Sequence, residues 1–448
     1  MLEQLLAFVE QEMLISTTQI LTISLSFQEH MTKGLSGLAS SLKMFPSYLG
    51  APSGGETGTF LAFDFGGSNV RAALVDLKGE GNYLEFYRQS RPLANPETGY
   101  DYRDEAVTAA ELFDFLAGII QEVLNKAPVR PTHCSLLTGP LPLGFAFSFP
   151  YRQQRIGEGV LLHWDKEVKT SGVAGKDVGC LLNDALSRCG LDQDVKPTAI
   201  INDTVATYLT AAYGDPGIEI ASIIGTGHNS CYLEPRVPNF ESPILINTES
   251  GNFSAAPTTF YDLILDQQSE NPGEQLFEKK LSGKYLGELL RIIVLDFSQR
   301  GVLKLMLPPR WHTPYDVNGK DLALILTEKA DLDLNSSIRS GSEGLILQRI
   351  AHLLTKRSAR LAAASFIGIV QHLDPYFENP HTIAVDGSLY EKMPGYAQEI
   401  RAALNDGLGT KSDLIKVRLS SGSSLTGAAI AAALVSLNAN NSTRVPQR

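Results

Sequence analysis

At about 150 residues per domain, a chain of 448 residues has room for two or three domains. Hydrophobic residues make up 43% and charged residues 19%, which excludes a disordered chain. Asp and Glu (49) outnumber Lys and Arg (38), for a net charge of -11. That argues against a broad nucleic-acid or anionic-membrane surface, but not against an anion gripped locally by backbone N–H groups.

In chain order, residues 1–27 are apolar but interrupted by Ser, Thr and Gln, too polar to span a bilayer. Glu3 and Glu10 stand where a signal peptide needs positive charge, and Leu5, Leu6, Val9 and Met13 fall near one helical face. After a Gly-rich connector at 51–58, TFLAFDF, GGSN and VRAALVDL predict a β-hairpin. Residues 105–126 have helical periodicity with an acidic start and a basic end. GPLPLGFAFSFP reads as a strand, 175–188 as a helix, PTAIIND as a short buried strand, and TVATYLTAAYG as a helix ending at Gly214. IEIASIIGTGHNSCYLE repeats the strand, glycine turn, strand pattern about 160 residues after the first. A long helix is expected over 274–298, weakened by Gly283 and Gly287. HTIAVDGSLY is a strand entering a turn, and GSSLTGAAIAAALVSL a glycine-rich turn opening a small-residue helix. Alternating strands and helices give the α/β class. Cys134, Cys180, Cys189 and Cys231 form neither a disulfide framework nor a metal spacing; they suit a reducing compartment, and a cytoplasmic location is expected.

Several segments carry chemistry. Asp64-Phe65-Gly66-Gly67-Ser68-Asn69 ends a strand in a carboxylate and a turn whose N–H groups can nest an anion. It has neither the Walker A nor the dinucleotide spacing. Gly225-Thr226-Gly227 is a second such turn with a hydroxyl between its glycines. Asp203, in Asn202-Asp203-Thr204, reads either as a helix N-cap or as a carboxylate taking a proton from a substrate hydroxyl. Glu249 and Glu278 read as solvated acids or as partners for buried sugar hydroxyls. No HxH or HExxH zinc spacing and no GxSxG elbow occurs.

Taken in order, these segments resemble the hexokinase/glucokinase family of the actin-like sugar kinases over nearly the whole chain. SLKMFPSYL with GTFLAFDFGGSNVRAALV is similar to its first phosphate segment, and LPLGFAFSFPYRQQRIGEGVLLHWDK with SGVAGKDV to its sugar segment. INDTVATYLTAAYGDP and IIGTGHNSCYLE resemble the catalytic and second phosphate segments; INTESGNF, ENPGEQLFEKKLSGKYLGELLR and VDGSLY resemble the later sugar and adenosine segments. The resemblance implies a two-lobed actin-like (RNase H-like) ATPase fold with a cleft between a small and a large domain. The small domain is expected over residues 58–200, with 429–442 a candidate addition, and the large domain over 1–57 and 201–428.

By the resemblance Asp203 is the general base and Lys166 a catalytic cation. Ser148, Asp165, Lys166, Asn202, Asp203, Asn229, Glu249, Gln275 and Glu278 contact the sugar. Asp64, Gly66, Gly67, Ser68, Asn69 and Arg71 form the first nucleotide-phosphate segment, Gly225, Thr226 and Gly227 the second, and Asp386, Gly387, Ser388, Gly422 and Ser423 the adenosine side. The implied reaction moves the ATP γ-phosphoryl group to a hexose 6-hydroxyl. Mg2+ comes with ATP and is held through water near Asp64 and Asp203, without a direct protein ligand. Hexose and ATP are the expected partners, with no nucleic acid or membrane, in a single catalytic unit without tandem duplication. The sequence departs from the family at Asp165 (for Thr), Ser250 (for Trp), His163 (where Asn is frequent) and the looser 421–427 segment. An alternative these departures suggest is a catalytically weak sugar sensor on the same fold.

Overall fold

The computed structural model describes residues 2–127, 139–165, 167–304, 307–327, 342–420, 422 and 424–442. Cys134, Lys166 and Ser423 lie outside these residues. The strands are β1 (Phe45–Pro46), β2 (Thr57–Phe65), β3 (Asn69–Gly79), β4 (Asn82–Pro92), β5 (Ala94–Asn95), β6 (Tyr100–Asp101), β7 (Leu141–Phe147), β8 (Tyr151–Arg152), β9 (Val160–Leu161), β10 (Val195–Ile201), β11 (Ile218–Ile224), β12 (His228–Glu234), β13 (Ile244–Asn247), β14 (His381–Asp386) and β15 (Ile415–Leu419). They build a five-stranded sheet of order β10-β7-β2-β3-β4, a six-stranded sheet of order β1-β13-β12-β11-β14-β15, and two small ribbons.

The chain divides into two compact units. One, the sheet unit, comprises Phe45–Ala221, Cys231–Asn247 and Ser420–Arg448; the other, the helix unit, comprises Met1–Met44, Ser222–Ser230 and Thr248–Leu419. Residues 45–57 and 201–221 thus pack with the 58–200 stretch.

In the sheet unit, β10, β7 and β2 run parallel, and β2, β3 and β4 form an antiparallel meander. Side chains alternate between the faces of a strand, and here the alternation is one of size. Leu61, Phe63 and Phe65 on β2, with Leu143, Phe145 and Phe147 on β7, enter one core with Leu112, Phe113, Leu116, Leu182 and Leu186 of the helices Ala109–Lys126 and Val178–Arg188. Each fully buried Phe contributes roughly 1.5–3 kcal/mol there. The intervening Ala62, Gly144 and Ala146 are small, and a Cβ at Gly144 would stand 1.8 Å from the Ala428 carbonyl oxygen. The helix Ser424–Ser442 lies that close to the sheet, which explains its run of alanines. A Cβ at Gly427 would meet the Ala206 oxygen at 2.2 Å, so the same helix also abuts the helix Asp203–Gly214.

In the helix unit the long helix Ser342–Leu373 packs against Thr17–Leu35 and Tyr396–Leu408. Gly368 permits the first contact, since a Cβ there would lie 2.8 Å from the Ser24 oxygen. A buried bidentate pair, Arg357 to Asp262 at 2.8 and 2.5 Å, ties this helix to Phe260–Gln268.

Two expected helices are broken. The N-terminal stretch is Leu2–Met13 followed by Thr17–Leu35, restarted by a capping box of Ser16 and Gln19. The 274–298 stretch is Leu276–Leu281 and Gly283–Gln299, interrupted by extended Ser282. Gly287 is required by the close approach of the Asn318 Cα, 2.3 Å from where its Cβ would be. No helix of the described residues is long and apolar enough to cross a membrane.

Candidate functional site

In the sheet unit, three parallel strands end together. Asp64 on β2 is level with Ala146 on β7, and Ala146 with Ile201 on β10. The next residues along these strands are Phe65-Gly66, Phe147-Ser148 and Asn202-Asp203. One step between strands is about 4.8 Å, so the topology alone gathers Gly66, Ser148 and Asp203 along one carboxyl edge, where open α/β sheets bind ligands. The Ser148 N–H donates to the Phe65 carbonyl at 3.1 Å and closes this edge.

Asn202 and Asp203 divide the work at the start of the helix Asp203–Gly214. The N-cap is Asn202, in extended conformation, whose side-chain oxygen accepts from the Thr204 N–H at 2.8 Å. Asp203 is therefore the first helical residue and not the cap. Its Oδ1 accepts from the same N–H at 2.8 Å and from the Thr204 hydroxyl at 3.3 Å. The negative group sits at the positive end of the helix. Cys231 anchors Thr204 from behind, its thiol donating to the Thr204 carbonyl at 3.2 Å; burial pushes that thiol's pKa well up.

Asp64 is buried and meets its cross-strand partner Arg71 at 2.5 Å, while the Ser424 hydroxyl donates to the same oxygen at 2.8 Å. The first turn, Gly66 to Asn69, closes through the Gly66 N–H to the Asn69 carbonyl at 3.2 Å. Gly422 lies against Thr210 of the helix after Asp203. Trp164 anchors the loop carrying Asp165: its ring meets Phe65, Phe147 and Phe149 with centroids 6.1, 6.2 and 4.8 Å away, and its N–H donates to the Thr170 carbonyl at 2.8 Å.

The helix unit holds a second group. In the turn Gly225–Gly227 the Gly225 N–H donates to the Gly227 carbonyl at 3.0 Å. The helix Gly283–Gln299 begins against it, the N–H groups of Gly283 and Lys284 donating to the carbonyls of Gly225 and Thr226 at 2.8 and 3.2 Å. Gly387, at φ 121°, presses on the other side; a Cβ there would be 2.5 Å from the Ile224 oxygen. Gly227 has a different neighbour, since its Cβ would stand 2.8 Å from Glu278 Oε2. That oxygen accepts from the His228 N–H at 2.7 Å. Asn229 is fixed in orientation, its oxygen facing the N–H groups of Ser230 (2.7 Å) and Ser250 (3.1 Å). Glu249 and Gln275 both occupy the left-handed region, at φ 52°. Non-glycine residues there store strain, and such strain concentrates where side chains are aimed at ligands.

Models of the hexokinase family match residues 6–213 and 219–434. Hexokinase-2 of Candida albicans is 34% identical over 95% of this chain and 91% of its own length. The chain belongs to the hexokinase family. Hexokinase-7 of Oryza sativa is also 34% identical, over 96% of each chain. Hexokinase-1 of Rattus norvegicus is 35% identical over 88% of this chain, which spans 44% of that longer protein. A crystal structure of a hexokinase matches with TM-score 0.82 and 32% identity, covering 97% of this chain and 99% of that one. The hexokinase from Schistosoma mansoni complexed with glucose matches with TM-score 0.81 and 30% identity, covering 97% and 99%. The chain is thus an enzyme with the actin-like hexokinase fold, a phosphotransferase acting on an alcohol group of a sugar.

Against the hexokinase pattern, Asp64, Gly66, Asn69, Arg71, Ser148, Asp165, Asn202 and Asp203 fall in the sheet unit; Gly225, Thr226, Gly227, Asn229, Glu249, Gln275, Glu278, Asp386, Gly387 and Ser388 fall in the helix unit. Gly67 and Ser68 lie in the first turn with them. Four features escaped the sequence reading: Ser424 on Asp64, the helix start at Gly283-Lys284 beside the second turn, the room Gly227 gives Glu278, and the pairing of His228 with Ser250. A Gly-Lys opening a helix was visible as Gly283-Lys284, but the long helix expected there hid it.

Proposed function

We propose that this hexokinase transfers the γ-phosphoryl group of MgATP to the 6-hydroxyl of a hexose, with Asp203 as general base. The observation that supports this reading is the division of labour at residues 202–204. Asn202 caps the helix, and among the described residues Asp203 is held through Oδ1. Nothing among the described residues holds its Oδ2, which is available to take a proton. Ser148, Asp165, Asn202, Asn229, Glu249, Gln275 and Glu278 would pair with sugar hydroxyls, each of which needs a partner once buried. Lys166 would add a cation beside them.

The turn Gly66–Asn69 with Arg71, and the turn Gly225–Gly227, would present N–H groups and the Thr226 hydroxyl to the phosphates. Gly387, Ser388, Gly422 and Ser423 would flank the nucleoside. The transferring group passes through a loose transition state, so positioning and charge stabilisation carry most of the acceleration. Mg2+ enters with ATP as part of the substrate, and the carboxylates of Asp64 and Asp203 suit waters in its shell. Water is the competing acceptor, and transfer to the sugar would need it excluded from the reacting groups. The cysteines described, with Cys180 exposed as a thiol, suit a reducing, cytoplasmic setting.

The test is ADP release over a panel of hexoses for the parent and for Asp203→Ala. The variant should lose about 10²–10⁴-fold in kcat while sugar binding stays measurable by thermal shift. Turnover within about twofold of the parent removes Asp203 as the base. A parent that is stabilised by a hexose yet releases no ADP with any of them is a sensor, and the kinase reading fails.

A further inference from the structure

His228 and Ser250 are both buried, and the Ser250 hydroxyl lies 3.2 Å from His228 Nε2. The other ring nitrogen, Nδ1, is 3.0 Å from the Ile223 carbonyl oxygen. A carbonyl only accepts, so Nδ1 carries the proton and Nε2 accepts from Ser250. The imidazole is locked in one neutral tautomer, its ring edge-on to Phe277 with centroids 5.6 Å apart. Burial supports this, pushing the His228 pKa down to about 4.

The backbones of these two residues hold two of the proposed sugar ligands. The His228 N–H donates to Glu278 Oε2 at 2.7 Å, and the Ser250 N–H donates to Asn229 Oδ1 at 3.1 Å. With its oxygen so occupied, the Asn229 amide must turn its NH2 group the other way. The Glu249 backbone, strained at φ 52°, directly precedes Ser250. Glycines at 227 and 251 keep the Glu278 side chain against this frame, since a Cβ at either would crowd it at 2.8 or 3.3 Å.

We propose that the buried His228–Ser250 hydrogen bond is a positioning device that clamps the start of β12 to the 249–252 turn and so aims Asn229 and Glu278 at the sugar. This rests on the reading that those two residues bind the sugar. Ser250 stands where the resembled family pattern has Trp. Neither residue touches the reacting atoms. Loosening the clamp weakens contacts made equally in the ground and transition states, so it raises the sugar KM and spares kcat.

The experiment compares Ser250→Ala, Ser250→Thr, His228→Asn and the double variant Ser250→Ala/His228→Asn, with glucose and ATP as substrates. Ser250→Ala is expected to raise the glucose KM about tenfold with kcat and the ATP KM within about twofold. Ser250→Thr, which keeps the hydroxyl, should restore the glucose KM. The double variant should cost no more than the worse single one, because both changes remove one hydrogen bond. An active parent with an unchanged glucose KM in Ser250→Ala overturns the clamp alone. So does a fall in kcat that Ser250→Thr does not rescue, which marks a merely structural role. A parent without glucose-dependent ADP release overturns the sugar-kinase reading and the clamp with it.

Discussion

The two glycine turns look alike in sequence, and the structure builds them differently. The turn at Gly66 joins β2 to β3 in a plain hairpin, and a Cβ at Gly66 would find its nearest neighbour, the Asn69 oxygen, at an ordinary 3.7 Å. The turn at Gly225 is hemmed in: its Cβ would meet the Gly387 Cα at 3.3 Å, and the Cβ of Gly227 would meet Glu278 at 2.8 Å. Packing does not require glycine at 66, where the space beside the backbone would hold a methyl group. In the second turn packing leaves little space for a side chain, and Gly227 makes room for a carboxylate. A glycine pair between strands is thus one sequence signal with two different surroundings.

The sharpest break of this contrast is Gly387→Ala. The residue sits at φ 121°, which a Cβ resists, and that Cβ would lie 2.5 Å from the Ile224 oxygen and 2.8 Å from the Gly225 nitrogen. Both atoms are backbone and cannot swing aside. The expected loss is roughly 2–4 kcal/mol of stability, from the strained dihedral and the overpacking together. Urea unfolding would read it. A midpoint equal to the parent's would mean that β14 does not press on the second turn.

The residue after that turn gives a second test. His228 is buried neutral, with its pKa pushed down to about 4 from 6.5 by desolvation. Between these two values the unfolded chain binds a proton that the folded chain refuses, so stability rises with pH across that window. It is fully present above pH 6.5 and is lost as the pH falls toward 4, by up to about 1.4 kcal/mol per unit for one proton. Melting temperatures of the parent and of His228→Asn at pH 7, 6 and 5 should diverge, the parent losing more on acidification. Parallel curves would place a protonated histidine in the fold.

How much of this was legible follows from what each residue does locally. The hairpin at 57–79 and the strand at 141–147 announced themselves, because their apolar runs and turn residues encode structure within a few positions. The large–small alternation of Leu61 to Phe65 and Leu143 to Phe147 was visible too, but its cause lies far along the chain in the small residues of Ser424–Ser442. The break at Ser282 was not legible. Residues 276–299 are helical by pattern, and what interrupts them is the docking of Gly283 on the Gly225 carbonyl, a long-range contact. Asp203 was ambiguous between cap and acid because adjacent Asn and Asp are both good caps; only the backbone geometry gives that duty to Asn202. The left-handed Glu249 and Gln275 had no local sign at all, since neither residue type favours that conformation.

Gly66→Ala carries the smallest expected change in stability and decides the most about the first turn. Its φ is not among the positive values, and the space for a methyl group is ordinary. The variant should fold with a stability within about 0.5 kcal/mol of the parent. If the turn cradles phosphate, the methyl group stands where an anion must approach the N–H groups, and the ATP KM should rise about tenfold with the glucose KM unchanged. A stable variant with an unaltered ATP KM would leave the hairpin a hairpin and transfer the phosphate role to the crowded turn at Gly225. An unstable variant would erase the contrast from the other side, because the room measured at Gly66 would then not be room the folded chain can use.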